Sequence, residues 1–264
     1  MSRFKVVLGL VMVPIILGAC GRSAETENLS EVVFEEITDE SSSAANNGET
    51  TEKISSVSEY LQYIDTEFLE NEESYLGTPA VIRYDEFLKD KNNWPDSDYK
   101  SIHVALGLID DDDIPELFVT LDTVSVFGVH IYKYDPESDS VIYLGEFSQY
   151  GFCKYSEKRN RIWGQYGNNG YFENYYYEIV GNEVKVVGRL LDDGSHEEIK
   201  YYADYADMSE SVGVITHVDP VSRPDDSFCI SEQEFEQRKE EYMQTKEPIM
   251  IGYDNMANMI IKGE

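Results

Sequence analysis

The stretch RIWGQYGNNGYFENYYYEIV, residues 161–180, decides the fold class. It contains two aromatic-rich runs that are separated by Gly-Asn-Asn-Gly at 167–170. Aromatic residues favour strands, and a short Gly/Asn-rich connection between two such runs is typical of a β-hairpin. The stretch therefore predicts antiparallel neighbours, since parallel strands need a long crossover between them.

The same pattern continues on both sides of this hairpin. Between residues 101 and 205, nine apolar or aromatic runs are each bounded by turn residues, for example DPESD at 135–139, SEKRN at 156–160 and GN at 181–182. Short turns between strand-like runs predict a long antiparallel meander.

Helical spacing is confined to the two ends of this region. Before it, the apolar residues of 57–68 recur at helical intervals, and a second short helix is expected over 83–91. After it, Ser231 and Glu234 have the spacing of a capping box ahead of an acidic helix. We therefore expect an α+β fold, in which an antiparallel β-meander sheet has helices at its N- and C-terminal ends.

The first twenty residues, MSRFKVVLGLVMVPIILGAC, have the features of an export signal. A basic start precedes an apolar run that is too short to span a membrane, and small residues then precede Cys20. The ending Leu17-Gly18-Ala19-Cys20 resembles the lipobox of bacterial lipoproteins. That resemblance implies that 1–19 is removed as a lipoprotein signal peptide and that Cys20 carries a diacylglycerol with palmitate-type chains. The alternative is a plain signal peptide with a chance cysteine.

The segment 20–56 is rich in Ser, Glu, Thr and Asn and has little apolar content. It cannot bury enough surface to offset its ordering entropy, so we expect a disordered acidic tether after the lipidated cysteine. The β-rich globular domain then covers 57–264. The protein is expected on the extracytoplasmic face of the bacterial cell membrane, held there by its lipid anchor.

The charge of the chain restricts its partners. With 52 acidic and 21 basic side chains, the formal net charge is -31. Binding to nucleic acid would have to overcome phosphate repulsion, so we expect no nucleic-acid partner. Cations and basic surfaces are the natural electrostatic partners of such a chain.

The acidic turn IDDDDIPELF, residues 109–118, is the candidate cation site. Ca²⁺ prefers six to eight oxygen ligands, and alternate Asp residues in a tight turn direct carboxylates at one point. The functional interpretation is a calcium site that uses Asp110, Asp112, Asp113 and Glu116, with Asp111 as the alternative to Asp113. The other interpretation is a solvated acidic turn that binds weakly or not at all.

This turn also carries a family resemblance. Many secreted lipoproteins of Gram-positive bacteria contain a segment of the form DIDGDGIPEL, followed by a strand meander, a Tyr-rich hairpin and a Ser-initiated acidic helix. This chain is similar to them over roughly 100–245, through LIDDDDIPELFV, VHIYKYD and the hairpin at 161–180. The resemblance implies a secreted surface domain, mostly of unassigned function, with a calcium-loop-like turn. Aligned on IPEL, this chain has Leu108 at the first Asp of the motif and Asp at both glycine positions.

The aromatic hairpin is a second candidate site, with Trp163, Tyr166, Tyr171 and Phe172 as its main residues. Exposed aromatics anchor protein interfaces and stack on sugar rings, so a surface protein or a glycan is a possible partner. The alternative is cross-strand aromatic pairing that only stabilises the sheet.

The remaining residue types argue against a catalytic centre. The four histidines are scattered without zinc-ligand spacing, and no nucleophile elbow or phosphate-binding loop is present in the sequence. Cys153 and Cys229 have no nearby His, and they are either paired or two separate thiols.

The sequence therefore favours a non-enzymatic binding or structural module on a membrane-anchored lipoprotein. An extracellular glycan hydrolase that uses paired carboxylates is the alternative. A solute-capture lipoprotein is disfavoured, because alternating βαβ units are missing from the pattern.

Overall fold

The computed structural model describes residues 53–63, 69, 71–90, 93, 101–121, 128–194, 199–205 and 224–260. The predicted signal peptide, Cys20 and the tether as far as residue 52 lie outside the described residues. Every described residue belongs to one unit, Asn47–Glu264.

The described strands form two sheets, and every pairing between strands in these sheets is antiparallel. In chain order they are β1 Ser101–Gly107, β2 Glu116–Leu121, β3 Val129–Asp135, β4 Ser140–Phe147, β5 Phe152–Ser156, β6 Arg161–Asn168, β7 Tyr171–Val180, β8 Glu183–Asp193, β9 Lys200–Ala203, β10 Cys229–Ile230, β11 Ile249–Gly252 and β12 Ala257–Ile260. The first sheet has the order β12-β1-β2-β3-β4, and the second has the order β10-β9-β8-β7-β6-β5-β11. The predicted fold class, α+β with antiparallel strands, is confirmed, and β1 to β9 are the nine predicted strands.

The hairpin of β6 and β7 is built as the sequence predicts. Asn169 and Gly170 form its turn, and both have positive φ, 51° and 84°. Two left-handed residues match the right-handed twist of the flanking strands, which is why Asn-Gly is favoured at this point. The register places Trp163 opposite Tyr176 and therefore pairs aromatic side chains across the strands.

Three α-helices are described: α1 Val57–Tyr63, α2 Pro79–Lys89 and α3 Glu232–Met243. Two of them begin at the predicted caps, since the backbone N–H of Glu59 donates to Ser56 Oγ at 3.0 Å and that of Glu234 donates to Ser231 Oγ at 3.2 Å. Helix α2 begins before the predicted start at residue 83. Its first residue is Pro79, which favours the first helical turn because it has no N–H to satisfy.

The main core lies between the two sheets, and α1 and α2 contribute residues to it. The rings of Phe118 in the first sheet and Tyr155 in the second have centroids 5.3 Å apart. Helix α2 packs on β3 through Phe87 and Tyr132, whose ring centroids are 4.8 Å apart. The α2 residue Tyr84 donates its hydroxyl to the carbonyl of Pro115, just before β2.

Helix α3 packs on the second sheet and forms a second, smaller core there. Its Phe235 and Met243 join Trp163 and Tyr176 in this cluster. The approach is close at Gly188 on β8, where an added Cβ would lie 2.6 Å from the ring of Tyr242. Only glycine leaves room for this contact.

Several features depart from the sequence analysis. The strands divide between two sheets, and the chain continues beyond α3 into β11, which pairs with β5, and β12, which pairs with β1. Part of the segment predicted as tether belongs to the fold, because Ile54 is buried and exchanges backbone hydrogen bonds with Asn258 and Ile260. These partners lie about two hundred residues apart in sequence, so local composition does not reveal them.

Cys153 and Cys229 are two separate thiols, the first buried and the second exposed. Within the described part of the chain, no helix has the length and apolar character needed to cross a membrane.

Candidate metal centre

The acidic turn joins β1 to β2 and is fixed by the neighbouring sheet. Backbone N–H groups of the β5–β6 turn donate to the carbonyls before the acidic residues, Lys158 to Leu108 at 2.9 Å and Asn160 to Ile109 at 2.7 Å. Because Leu108 and Ile109 are also buried, the chain enters the turn in a defined position.

The bend itself is made by aspartate side chains. Asp110 Oδ1 accepts the N–H of Asp112 at 3.1 Å, and Asp112 Oδ1 accepts the N–H of Ile114 at 2.7 Å. Such side-chain turns replace backbone turns. All four Asp residues have negative φ, so the glycines of the related motif are not needed for this bend.

Three carboxylates of the turn converge. One oxygen each from Asp110, Asp112 and Glu116 can be chosen so that all lie within 4.8 Å of one another. Two oxygens that bind one Ca²⁺ at about 2.4 Å are separated by at most about 4.8 Å. The three residues could therefore hold a metal ion, and the remaining ligands would come from backbone or water oxygens.

The electrostatics of the group favour a cation. Glu116 is only 1% exposed, and its Oε2 accepts the N–H of Ile109 at 2.8 Å. Burial, followed by the charge of Asp110, raises the pKa of Glu116 well above its ordinary value. Burial and then the charge of Asp110 also raise the pKa of Asp112. Each ionised carboxylate makes ionisation of its neighbours less favourable, and a cation between them would relieve that repulsion.

The structure separates Asp113 from the predicted ligand set. Its Oδ1 lies 3.2 Å from Lys158 Nζ and its side chain is 88% exposed, so it points away from the converging group. Asp111 is also exposed and outside this group. Of the four ligands predicted from the sequence, three are brought together.

Sequence reasoning missed Lys133. Its Nζ lies 3.5 Å from Asp110 Oδ2, in a largely buried contact. Lys133 reaches the turn because β3 pairs with β2, with Tyr132 opposite Leu117. The only signal in the sequence is a lysine within a strand-like run, which does not indicate its partner.

The aromatic residues predicted as an interaction surface do not form one. Tyr166 is 3% exposed and packs in the main core, whereas Trp163 is 8% exposed and packs in the α3 cluster on the opposite face of the sheet. Tyr171 and Phe172 are half-buried neighbours, whose side chains point to opposite faces because strands alternate. The prediction of one exposed surface on these four residues is corrected, and the cross-strand packing alternative describes Trp163 and Tyr166.

Comparison with known proteins leaves this site to be interpreted from its own geometry. No protein-family model, no curated protein and no solved structure matches the chain.

Proposed function

We propose that this protein is a lipid-anchored lipoprotein on the outer face of the bacterial membrane, and that its acidic domain is a non-enzymatic binding or structural module that holds one Ca²⁺. The observation that carries the metal part is the convergence of Asp110, Asp112 and Glu116 within 4.8 Å. The export signal and the lipobox-like ending at Cys20 support the location.

Calcium is preferred to other metals because of the ligand chemistry. All three side chains are carboxylates, which are hard oxygen ligands suited to Ca²⁺ and Mg²⁺. Asp110 and Asp112 are held by backbone hydrogen bonds in an irregular turn rather than in a strict octahedral frame. Ca²⁺ accepts irregular coordination more readily than Mg²⁺.

A thermal melt of the full chain tests the calcium site. With Ca²⁺ at a hundredfold excess over Kd, binding stabilises the folded state by about 2.7 kcal/mol, or roughly 5–10 °C in Tm. We expect this shift with CaCl₂ and a smaller one with MgCl₂, and we expect EDTA to reverse it.

Two matched variants assign the shift to the turn. Asp112→Asn should remove most of it, whereas Asp111→Asn removes the same charge next to the site and should leave most of it. An equal response of both variants, or no shift at millimolar Ca²⁺, would rule out the proposed site.

The anchor is tested separately by growing cells that express the full chain with labelled palmitate. The label should appear on the wild-type protein and on Cys229→Ser, and it should be missing from Cys20→Ser. Label retained by Cys20→Ser would contradict the anchor without affecting the calcium proposal.

A further inference from the structure

A groove of about 390 Å³ runs between the second sheet and α3. Strands β5 to β8 form its floor, and α3 with the segment after it forms its wall. This volume lies within the range of small-molecule sites. The groove is on the side of the second sheet that faces α3, and it shares no residue with the acidic turn.

The floor of the groove carries a fixed polar network. Asn174 Oδ1 accepts the indole N–H of Trp163 at 3.1 Å and the amide of Gln165 at 3.3 Å. Asn174 Nδ2 donates to Asp192 Oδ2 at 3.1 Å. The network crosses three adjacent strands, and its amides have only one orientation that satisfies these bonds. The carboxylate and amide groups of this network have further lone pairs and N–H protons that can form hydrogen bonds with a ligand.

One hydroxyl in the floor has no such bond. Tyr176 is 1% exposed, and its Oη has no well-formed hydrogen bond to any described residue. Its neighbour Trp163 donates its indole N–H to Asn174 instead. Tyr176 lines the groove together with Glu236 and Asp192. Burial and then the charge of Glu236 raise the pKa of Tyr176. A buried hydroxyl without a partner is costly, and because this one belongs to a residue that lines the groove, a ligand group there could satisfy it.

The charges around the groove restrict the ligand. Lys239 Nζ pairs with Glu236 at 3.0 Å, so this part of the wall is locally neutral. Lys154 Nζ lies over the Trp163 ring, 4.8 Å from its centroid, and no carboxylate of the described residues lies within 4 Å of it. A purely anionic ligand would meet Asp192 and Glu236, and a purely cationic one would meet the two lysines.

A lining that offers both donors and acceptors fits a ligand whose groups both donate and accept. Sugar hydroxyls do so, and each can bond a carboxylate, an amide and a phenol at once. We propose that this groove binds a saccharide, with its hydroxyls hydrogen-bonded to Asn174, Asp192 and Tyr176 and an ammonium contact from Lys154. This inference gives the surface module a ligand class and does not depend on calcium at the turn.

The test begins with a printed array of oligosaccharides, probed with the full-length chain in detergent. The tightest arrayed sugar is then titrated against the Trp94→Phe variant, which leaves Trp163 as the single tryptophan of the chain. We expect saturable binding that changes the Trp163 fluorescence. The same titration in EDTA should give the same affinity, which separates this proposal from the calcium proposal.

Tyr176→Phe is the decisive variant, because it removes only the unbonded hydroxyl. We expect its affinity to fall about tenfold while its thermal stability does not fall. Tyr155→Phe is the matched control: Tyr155 also has a buried hydroxyl without a partner, but it lies in the main core between the sheets. That variant should bind as the wild type does.

Asn174→Ala should abolish binding, although its loss of several hydrogen bonds requires that folding be checked. Binding of no arrayed sugar, or equal affinities of Tyr176→Phe and Tyr155→Phe, would overturn the proposal. Binding of polyglutamate alone, with no arrayed sugar bound, would also overturn it, since it would assign the groove to polyanions through its lysines.

Discussion

Lys133 Nζ lies 3.5 Å from Oδ2 of Asp110, so the acidic turn already contains one cation supplied by the chain itself. The ammonium comes from β3 and also lies 3.5 Å from the carbonyl of Gly181. A tethered ammonium next to converging carboxylates partly neutralises them and competes with a metal ion for the same oxygen.

Lys133→Gln should therefore bind Ca²⁺ more tightly than the wild type. Removing one positive charge at this distance should improve Kd by roughly three- to tenfold in an isothermal titration. Lys158→Gln is the control, because it also removes one positive charge. Lys158 pairs with the exposed Asp113, which lies outside the converging group, so this variant should change Kd less. A higher Kd for Lys133→Gln would show that the ammonium supports the site instead of competing with Ca²⁺.

Glu116→Gln should have opposite effects with and without calcium. Glu116 is buried with a raised pKa, so its charge is unfavourable in the calcium-free fold, whereas a glutamine carbonyl can still accept the Ile109 N–H. We expect the calcium-free variant to gain on the order of 1 kcal/mol at neutral pH and to lose the Ca²⁺-induced rise in Tm.

The control for this variant is Asp113→Asn, which makes the same carboxylate-to-amide change in the same turn. It should retain the calcium-induced rise, because Asp113 points to Lys158. If Asp113→Asn and Glu116→Gln lose the calcium-induced rise in Tm equally, the four-residue ligand set predicted from the sequence, which includes Asp113, would be the better description.

The acidic turn shows how far sequence reasoning reaches. Asp110, Asp112 and Glu116 were predictable, because alternate acidic residues ahead of a strand place side chains on one side of a turn. Asp113 was not distinguishable from its neighbours, since the direction of each side chain depends on the hydrogen bonds at Asp112 and Ile114. Lys133 was not predictable either, because the pairing of β2 with β3 brings it to the turn.

The fold likewise has features that the local sequence predicts and features that depend on distant parts of the chain. Strands β1 to β9 follow from local alternation and turn residues such as Asn169-Gly170, which act over a few residues. The division into two sheets falls between β4 and β5, since β5 pairs with β11 and not with β4. The sheets also gain β11 and β12, whose partners β5 and β1 lie about one hundred residues or more away in sequence. Such pairings are decided by the whole core, so the local pattern does not contain them.

The two cysteines should differ in reactivity. In a Cys20→Ser background, the exposed Cys229 should react rapidly with a thiol reagent such as DTNB in the native protein. Burial raises the pKa of the Cys153 thiol, so it should react only after denaturation. Adding Cys229→Ser should remove the fast phase, and failure of both thiols to react in denaturant would indicate a disulfide.

The contact between α2 and the β3–β4 turn should give the domain a pH dependence in acid. Arg83 of α2 donates through Nε to Asp139 Oδ1 at 2.9 Å and also pairs through Nη2 with Asp139 Oδ2, and the Tyr134 hydroxyl donates to Asp139 at 2.9 Å. These hydrogen bonds, with that from Arg83 the strongest influence, lower the pKa of Asp139 from 3.8 to about 2.

Because this pKa is lower in the folded state, Asp139 contributes stability above pH 3.8, and that contribution is lost as the pH falls to about 2. Asp139→Asn should be less stable than the wild type near pH 5, and the difference in Tm should shrink towards zero by about pH 2. Asparagine tolerates the positive φ of 51° at this position, so backbone strain should not obscure the result.

The measurement is a series of melts from about pH 5 to about pH 2 for the wild type, Asp139→Asn and Glu137→Gln. Glu137 lies in the same exposed turn, so Glu137→Gln removes the same charge as Asp139→Asn. Among the described ion pairs, Arg83 pairs with Glu86 and Asp139 and not with Glu137. Its variant should follow the wild-type curve. A constant difference between Asp139→Asn and the wild type across the whole range would mean that Asp139 acts through its turn geometry and not through its ionised pairing with Arg83.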